Sequence, residues 1–573
     1  MADIEDLMLS NATITTQETA RPDKIAAIKK NFARNKQKNR PYDEKALQEQ
    51  TESVGIVPGS QKIYVKTFGC SHNISDSEFM MGQLVDYGYE LTEDPFVADL
   101  ILINSCTVKN PSQEALMRMV FDTKEIKKPV VVSGCVPQGD KFIDGLQDVS
   151  IIGITQIDRV VEVVEETLKG HTVQLLEKKD LPQLDLPKIR KNKFIEILAV
   201  NTGCLGNCTY CKTKHARGHL GSYHPDEIIR RALKACEEGA REIWLTSEDT
   251  GAYGRDIGTN IAELLIKLTE VLPEYAMLRI GMTNPPYILE HMKTITRVMN
   301  HPRVFGFLHL PVQSGSNTVL ERMNREYTCE EFNSVVDCLL SEVKEISIGT
   351  DIICGFPGET DFEHKETMAL LEKYKFPFVN ISQFYPRPGT IAARMKQVNT
   401  KDKKDRSRQV TELFNGYRNT QKKMNVIERV WISEKEVLKG EQILVGHTKD
   451  YTKVTLPFDE TLLGSCVMVK ITECKKWHVE GEIVDRNPGF EHVPKNYFDD
   501  LRGAPEDTEA EFLKQASNLD ELPVTDRKET TTGINALIHG SKVGALKDDK
   551  YAYVLVAALF LFIVGLMLKA SGL

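Results

Sequence analysis

Three cysteines stand close together in the string Gly203-Cys204-Leu205-Gly206-Asn207-Cys208-Thr209-Tyr210-Cys211, separated by three residues and then by two. Thiolates at such spacing ligate an iron–sulfur cluster or a metal ion. A structural zinc would pair Cys-x-x-Cys with a second Cys or His pair further on, and His215 and His219 are close enough in sequence to be weighed for that role. The context points elsewhere. The cysteines follow an apolar strand-like run, Phe194 to Val200, and a loop after a strand is where an α/β enzyme keeps its site. A second set of thiols repeats the placement: Cys70 ends the run Ile63 to Gly69, Cys106 ends Leu100 to Ser105, and Cys135 ends Val130 to Gly134. In an open α/β sheet the crevice beyond the carboxyl ends of the strands is the ligand site, so three distant cysteines can converge there on a second cluster. The alternative is ordinary burial, common for cysteine, and it must then have produced the same strand-end position three times. Cys236, Cys329, Cys338, Cys354, Cys466 and Cys474 lack such a pattern and are assigned to packing or surface.

Positioning these thiols requires strands in parallel. After the 194–200 run come Arg241 to Ser247, Met277 to Met282, Val304 to Leu310, Ile346 to Cys354 and Phe378 to Phe384, with helical patterns between them. Such alternation implies a parallel sheet. Thr328 with Glu331 and Thr360 with Glu363 are spaced as capping boxes, each side chain satisfying the other's backbone N–H at a helix start. Polar segments fall at the strand ends: Ser247-Glu248-Asp249, Pro311-Val312-Gln313-Ser314-Gly315-Ser316 and Gly355-Phe356-Pro357-Gly358-Glu359.

The Cys204, Cys208, Cys211 spacing, with aromatic Tyr210 before the last thiol, resembles the signature of radical S-adenosylmethionine enzymes. The resemblance implies a partial (β/α)6 barrel and a 4Fe-4S cluster held through three irons, the fourth chelating S-adenosylmethionine and passing an electron to its sulfonium. It implies that Glu248 meets the methionine ammonium and that Gly355 and Gly358, like Tyr210, lie along the cofactor. With Cys70, Cys106 and Cys135 upstream, residues 62 to 426 resemble the methylthiotransferase family, which implies a second 4Fe-4S cluster on those three cysteines that holds or supplies sulfur. The family's small RNA-binding barrel, of the TRAM type, is the expectation for several short β runs after Val426. That stretch carries eight Lys+Arg against ten Asp+Glu, so its charge does not itself indicate RNA. Basic stretches lie elsewhere, at Lys24 to Arg40, Lys188 to Lys193 and Lys396 to Arg429, and are read either as phosphate-tracking or as solvated linkers.

The resemblance is strongest to the eukaryotic-type branch acting on N6-threonylcarbamoyladenosine at tRNA position 37, next to the anticodon. It implies methylthiolation at C2, with an unspecified electron donor as partner. Branches acting on isopentenyladenosine or on a ribosomal-protein aspartate remain alternatives, as does a silent membrane-tethered RNA-binding scaffold. The expected fold class is α/β: a basic, disordered 1–61; an open α/β domain, 62–170; a linker, 171–192; the radical domain, 193–425; the barrel, 426–485; and a linker, 486–550. Tyr551 to Leu568, eighteen uncharged residues between Lys550 and Lys569, is long enough for a transmembrane helix. The expectation is a tail anchor in the endoplasmic reticulum membrane with the enzyme facing the cytosol. Twelve cysteines in 573 residues without an apolar leader suit metal ligation in a reducing compartment.

Overall fold

The computed structural model describes residues 59–107, 110–140, 142–438 and 440–502, all within the first of two compact units, Met1–Asn518. The amino-terminal domain is an all-parallel sheet of six strands, β1 (Lys62–Thr67), β2 (Glu90–Thr92), β3 (Leu100–Ser105), β4 (Val130–Gly134), β5 (Ser150–Ile152) and β6 (Gln174–Leu175), in the order β2-β1-β3-β4-β5-β6. β3 and β4 are buried at every position, which is why they read as unbroken Leu, Ile and Val rather than alternating. Strand order reverses at β1, so the crevice for a ligand opens between β1 and β3.

The next strands are β7 (Ile195–Ala199), the short pair β8 (Asn201–Thr202) and β9 (Gly221–Ser222), β10 (Glu242–Thr246), β11 (Met277–Arg279), β12 (Phe307–His309), β13 (Ser347–Cys354) and β14 (Phe378–Gln383). β7, β10 and β11 form one parallel sheet and β12, β13 and β14 another, joined by a parallel bridge between Leu278 and Val304. Six parallel strands with intervening helices give the partial barrel expected. Both expected capping boxes are present, on the helices Cys329–Glu342 and Asp361–Tyr374.

The helix Ser71–Tyr87, which starts immediately after Cys70, fastens sheet to barrel. Its polar residues Ser71, Asn73, Ser75, Asp76 and Glu78 are all buried, because this helix faces β7 rather than solvent. Ser75 Oγ donates to the Ile197 carbonyl at 3.0 Å and Ser71 Oγ lies 2.7 Å from Thr246 Oγ1. Its apolar Phe79, Met80 and Leu84 share one core with Leu198, Ile228 and Leu245 of the barrel. The basic stretch 188–193 has its place here too, which corrects its reading as a phosphate-tracking segment. Lys188 is fully buried between Glu78 (3.3 Å) and Glu196 (2.9 Å), and Arg190 lies 3.2 Å from Glu196. Burial alone would push the Glu196 carboxyl up, but Lys188 and Arg231 hold it down at about 2.

Strands β15 (Ile427–Leu438), β16 (Glu441–Thr448), β17 (Lys453–Pro457), β18 (Cys466–Cys474) and β19 (Val479–Asp485) close into a small barrel, β15-β16-β17-β19-β18. Its β16–β17 turn plugs the amino-terminal mouth of the large barrel, the end that serves stability rather than chemistry. Gly306 N–H donates to the Lys449 carbonyl at 2.7 Å. Tyr451, fully buried, stacks on His447 at 4.2 Å and faces the Arg279 guanidinium at 4.9 Å, which also lies over Trp244 and Phe307. A desolvated cation among aromatic faces is attracted by their quadrupoles.

Among the described residues no helix is long and apolar enough to cross a membrane, against the expected placement in the endoplasmic reticulum membrane. The run Tyr551 to Leu568 lies outside the described residues, as does the basic stretch Lys24 to Arg40.

Replacing Tyr451 by Ala removes a fully buried ring from this plug and should lower stability by about 3–5 kcal/mol, the usual cost of truncating a core aromatic. The urea midpoint measures it; a midpoint unchanged from wild type would mean that the turn does not hold the two barrels together.

Candidate active site

All six expected cluster cysteines lie at carboxyl ends of strands. Cys70, Cys106 and Cys135 follow β1, β3 and β4, three neighbours in the first sheet. Gly69, at φ +104°, is the reason they come together: a Cβ there would lie 2.1 Å from Cys106 Cβ and 2.6 Å from its Sγ. Only glycine allows both this left-handed turn and the close approach. Asn73 ties the three loops, donating from Nδ2 to the Ser105 carbonyl (2.7 Å) and the Phe68 carbonyl (3.1 Å), while its Oδ1 lies 3.6 Å from Cys135 Sγ. Cys70 is the N-cap of the helix Ser71–Tyr87, where the helix dipole favours a thiolate. Burial pushes the Cys135 thiol up to about 12, against the Arg217 charge.

The second triad occupies the loop closed by the β8–β9 pair. A Cβ on Gly206 would sit 3.8 Å from Cys204 Sγ and 3.9 Å from Cys208 Sγ, so these two thiols flank it. Lys214 fastens the loop by donating to the carbonyls of Leu205 (2.8 Å) and Gly206 (3.0 Å). Gly203, at φ +76°, has the His219 carbonyl where a Cβ would be. Burial pushes Cys204 and Cys208 up as thiols, and Arg325 opposes this at Cys208, its NH1 donating to the sulfur at 3.2 Å. Arg325 also donates to Asn284 Oδ1. Asn284 in turn gives two hydrogen bonds to Asp249, from Nδ2 at 2.6 Å and from its backbone N–H at 3.1 Å. Burial holds Asp249 up at about 6, and its charge bears on Cys204.

Two arginines link the triads. Arg217, at the end of the helix Thr213–Arg217, reaches across to Asn73 Oδ1 (2.9 Å) and Asp76 (2.7 Å), and its Nε lies 3.0 Å from Glu248. Burial works against its charge, but Cys135, Asp76 and Glu248 outweigh it and hold it protonated. Arg387 donates to the carbonyl of Thr107, next to Cys106, and feels the charges of Cys211 and Cys106 while burial lowers its affinity for a proton.

These arginines and Asn73 were not singled out in the sequence, where no local spacing marks them, whereas Asp249 belongs to the strand-end segment 247–249. Glu248, its side chain 10% exposed, is raised to about 7 by burial, and one oxygen is shared by Arg217 and, at 3.4 Å, by His72. Its other oxygen, Oε2, has no hydrogen-bond partner, nor do both amide atoms of buried Asn201 or Oε1 of Gln313. Gln313 holds φ +70°, a strained value for a residue with a side chain. Tyr210 packs edge-on to Phe356 at 6.2 Å. Gly355, at φ +74°, has Lys403 Cγ 2.4 Å from where a Cβ would stand. Gly358, at φ +81°, has Arg322 as its nearest neighbour.

Iron–sulfur clusters fit this donor set. In a cubane each of three thiolates takes its own iron, which suits a triad of cysteines without further protein ligands. Each triad has arginine charge against it, as the ligating thiolates require.

Two family profiles match the chain: the Uncharacterized protein family UPF0004 over residues 62–151 and the Radical SAM superfamily over residues 198–371. Fold and site define a radical S-adenosylmethionine enzyme with a second cysteine triad on an amino-terminal domain. The chain is 51% identical over 492 residues to the threonylcarbamoyladenosine tRNA methylthiotransferase of Xenopus laevis, covering 84% of this chain and 86% of that protein. With the enzyme of that name from Homo sapiens it shares 50% identity, covering 84% and 83%, and with a probable one from Pyrococcus horikoshii 39%, covering 61% and 82%. It therefore belongs to the threonylcarbamoyladenosine tRNA methylthiotransferases, whose cofactors are S-adenosylmethionine and 4Fe-4S clusters.

Replacing Gly69 by Ala should drive Cys106 from its place while leaving the Cys204 loop intact. Anaerobically reconstituted protein should then fall from about eight irons per chain to about four, one 4Fe-4S cluster. Retention of all eight would show that the Gly69–Cys106 contact does not set the first triad.

Proposed function

We propose that this chain places a methylthio group at C2 of N6-threonylcarbamoyladenosine at position 37 of tRNA. The observation that carries this reading is the pairing of two cysteine triads, two of their thiols buried and four half-buried, bridged by Arg217 and Arg387. An aromatic C–H resists acid–base chemistry, so a cofactor must carry the difficult step. When bound at Cys204, Cys208 and Cys211, a cluster with one iron free of protein ligands supplies an electron for reductive cleavage of S-adenosylmethionine. The chain's own part is to orient and to seal. Arg325 balances thiolate charge at Cys208, and the unpartnered Oε2 of Glu248 is suited to accept from the cofactor's ammonium. Asn201 and Gln313 each keep a buried amide atom to be satisfied by a bound group, since leaving it unmet costs about 1–3 kcal/mol. Cys70, Cys106 and Cys135 would hold a second cluster, which would hold or supply the sulfur.

The curated relatives favour threonylcarbamoyl over isopentenyl adenosine or a protein aspartate, and intact triads argue against a silent scaffold. For the small barrel the role is tRNA binding. Trp477, half exposed, stands beside Lys476, an arrangement that suits stacking on an unpaired base next to a phosphate.

Replacing Cys208 by Ala should abolish formation of 5′-deoxyadenosine from S-adenosylmethionine. Cys106→Ala should still form it but transfer no methylthio group to tRNA, read by mass spectrometry of the nucleosides. Normal methylthio transfer by Cys106→Ala would contradict the division of labour.

A further inference from the structure

The loop that carries Cys204, Cys208 and Cys211 is gripped from one side by Arg322 to Arg325. Thr209 donates from its N–H to the Met323 carbonyl at 2.9 Å and from Oγ1 to the Arg322 carbonyl at 2.9 Å. Asn324 donates from Nδ2 to the Asn207 carbonyl at 3.0 Å, and Arg325 places NH1 on Cys208 Sγ at 3.2 Å. This turn ends the helix Asn317–Met323, with Asn324 left-handed at φ +55°, a conformation that asparagine accepts more readily than most residues. Arg325 is also held at its other two nitrogens. NH2 donates to Asn284 Oδ1, and Nε donates to the Tyr327 hydroxyl at 3.1 Å. Tyr327, 5% exposed, is bonded in turn to the carbonyls of Pro311 and Val312 at 2.8 and 3.0 Å. Burial works against the guanidinium charge, but Tyr327, Tyr210 and Cys208 outweigh it. Thr209 and Asn324 already fasten the loop, so a guanidinium aimed at one of its sulfurs serves a further purpose.

We propose that Arg325 is a positioning residue that sets the reduction potential of the cluster at Cys204, Cys208 and Cys211, its N–H on the Cys208 sulfur stabilising the reduced form. The proposal rests on the reading of that triad as the radical cluster. A one-electron donor adds one negative charge to the cluster, with no bond made or broken. The charge spreads over the irons and their thiolates, where a cation hydrogen-bonded to one sulfur lowers its energy. Asn284 keeps the cation there: it accepts from Arg325 and donates to Asp249, so it stands between the guanidinium and the nearby carboxylate. Lysine, a point charge on a flexible stem, cannot be held at three places at once.

The test uses a Cys106→Ala parent, in which one cluster, about four irons per chain, is left to titrate. Anaerobically reconstituted protein without S-adenosylmethionine is poised with dithionite and redox mediators, and the reduced fraction is read by electron paramagnetic resonance. At the potential where the parent is half reduced, Arg325→Gln should have a reduced-to-oxidised ratio at least about tenfold lower, or about 59 mV for one electron. Arg325→Lys, which keeps the charge but loses the fork, should fall between the two. Asn324→Gly removes a loop contact, touches no sulfur and suits the left-handed φ, so its ratio should stay within about twofold of the parent. A parental ratio in Arg325→Gln at equal iron content overturns the proposal. So does an equal shift in Asn324→Gly and Arg325→Gln, which would assign the effect to a loosened loop. Should Arg325→Gln hold no iron, the parent carrying isotopically labelled arginine decides: its reduced cluster should couple to a labelled nitrogen, a signal lost in Arg325→Lys, and no such coupling in the parent overturns the proposal. A parent with no 4Fe-4S signal at all would instead overturn the reading of the triad.

Discussion

The arrangement depends on a buried cation, Arg217, shared between two domains. It leaves the radical loop six residues after Cys211 and ends among Asn73, Asp76 and Glu248. A guanidinium taken out of water is costly unless its donors find anions in good geometry, and here the anions come from both sides. Asp76 lies on the helix that starts at Cys70, and Glu248 at the end of β10. Neither domain alone satisfies Arg217. The energetic requirement to pair it thus sets the distance between the triads, and the planar, five-donor guanidinium sets their orientation as a lysine would not.

The large barrel separates its two tasks by end. At the amino-terminal mouth the small barrel inserts Tyr451 against Arg279, Trp244 and Phe307, a contact of ring faces and one cation that includes none of the six triad cysteines. At the other end lie both triads, the unpartnered Oε2 of Glu248, Asn201 and the strained Gln313. Buried polar groups persist where the surrounding packing holds them in place. The same logic explains the helix Ser71–Tyr87, whose buried serines, Asn73 and Asp76 make sense only when sheet and barrel enclose it.

What was legible in the sequence was local. Thiol spacing, strand-end placement, the capping boxes at Thr328 and Thr360 and the order of parallel strands each depend on residues a few positions apart. What was not legible was made by distance. Arg217 meets Asn73 across 144 residues, and Arg387 meets Thr107 across 280, with no periodicity to announce either. Lys188 and Arg190 looked like a basic surface because their partners, Glu78, Glu196 and Glu238, are scattered through the chain. The small barrel's slight excess of acids hid its position as the plug of the large one, which rests on ring packing rather than charge.

The central claim is that the two cysteine triads form one site. The direct measurement is electron paramagnetic resonance of the reconstituted, fully reduced protein, in which each 4Fe-4S cluster carries an unpaired spin. Clusters held across Arg217 and Arg387 should broaden and split one another's signals, and the spectrum should differ from the sum of the spectra of Cys106→Ala and Cys208→Ala protein. A wild-type spectrum equal to that sum, with no spin–spin interaction, would place the clusters apart and contradict the account.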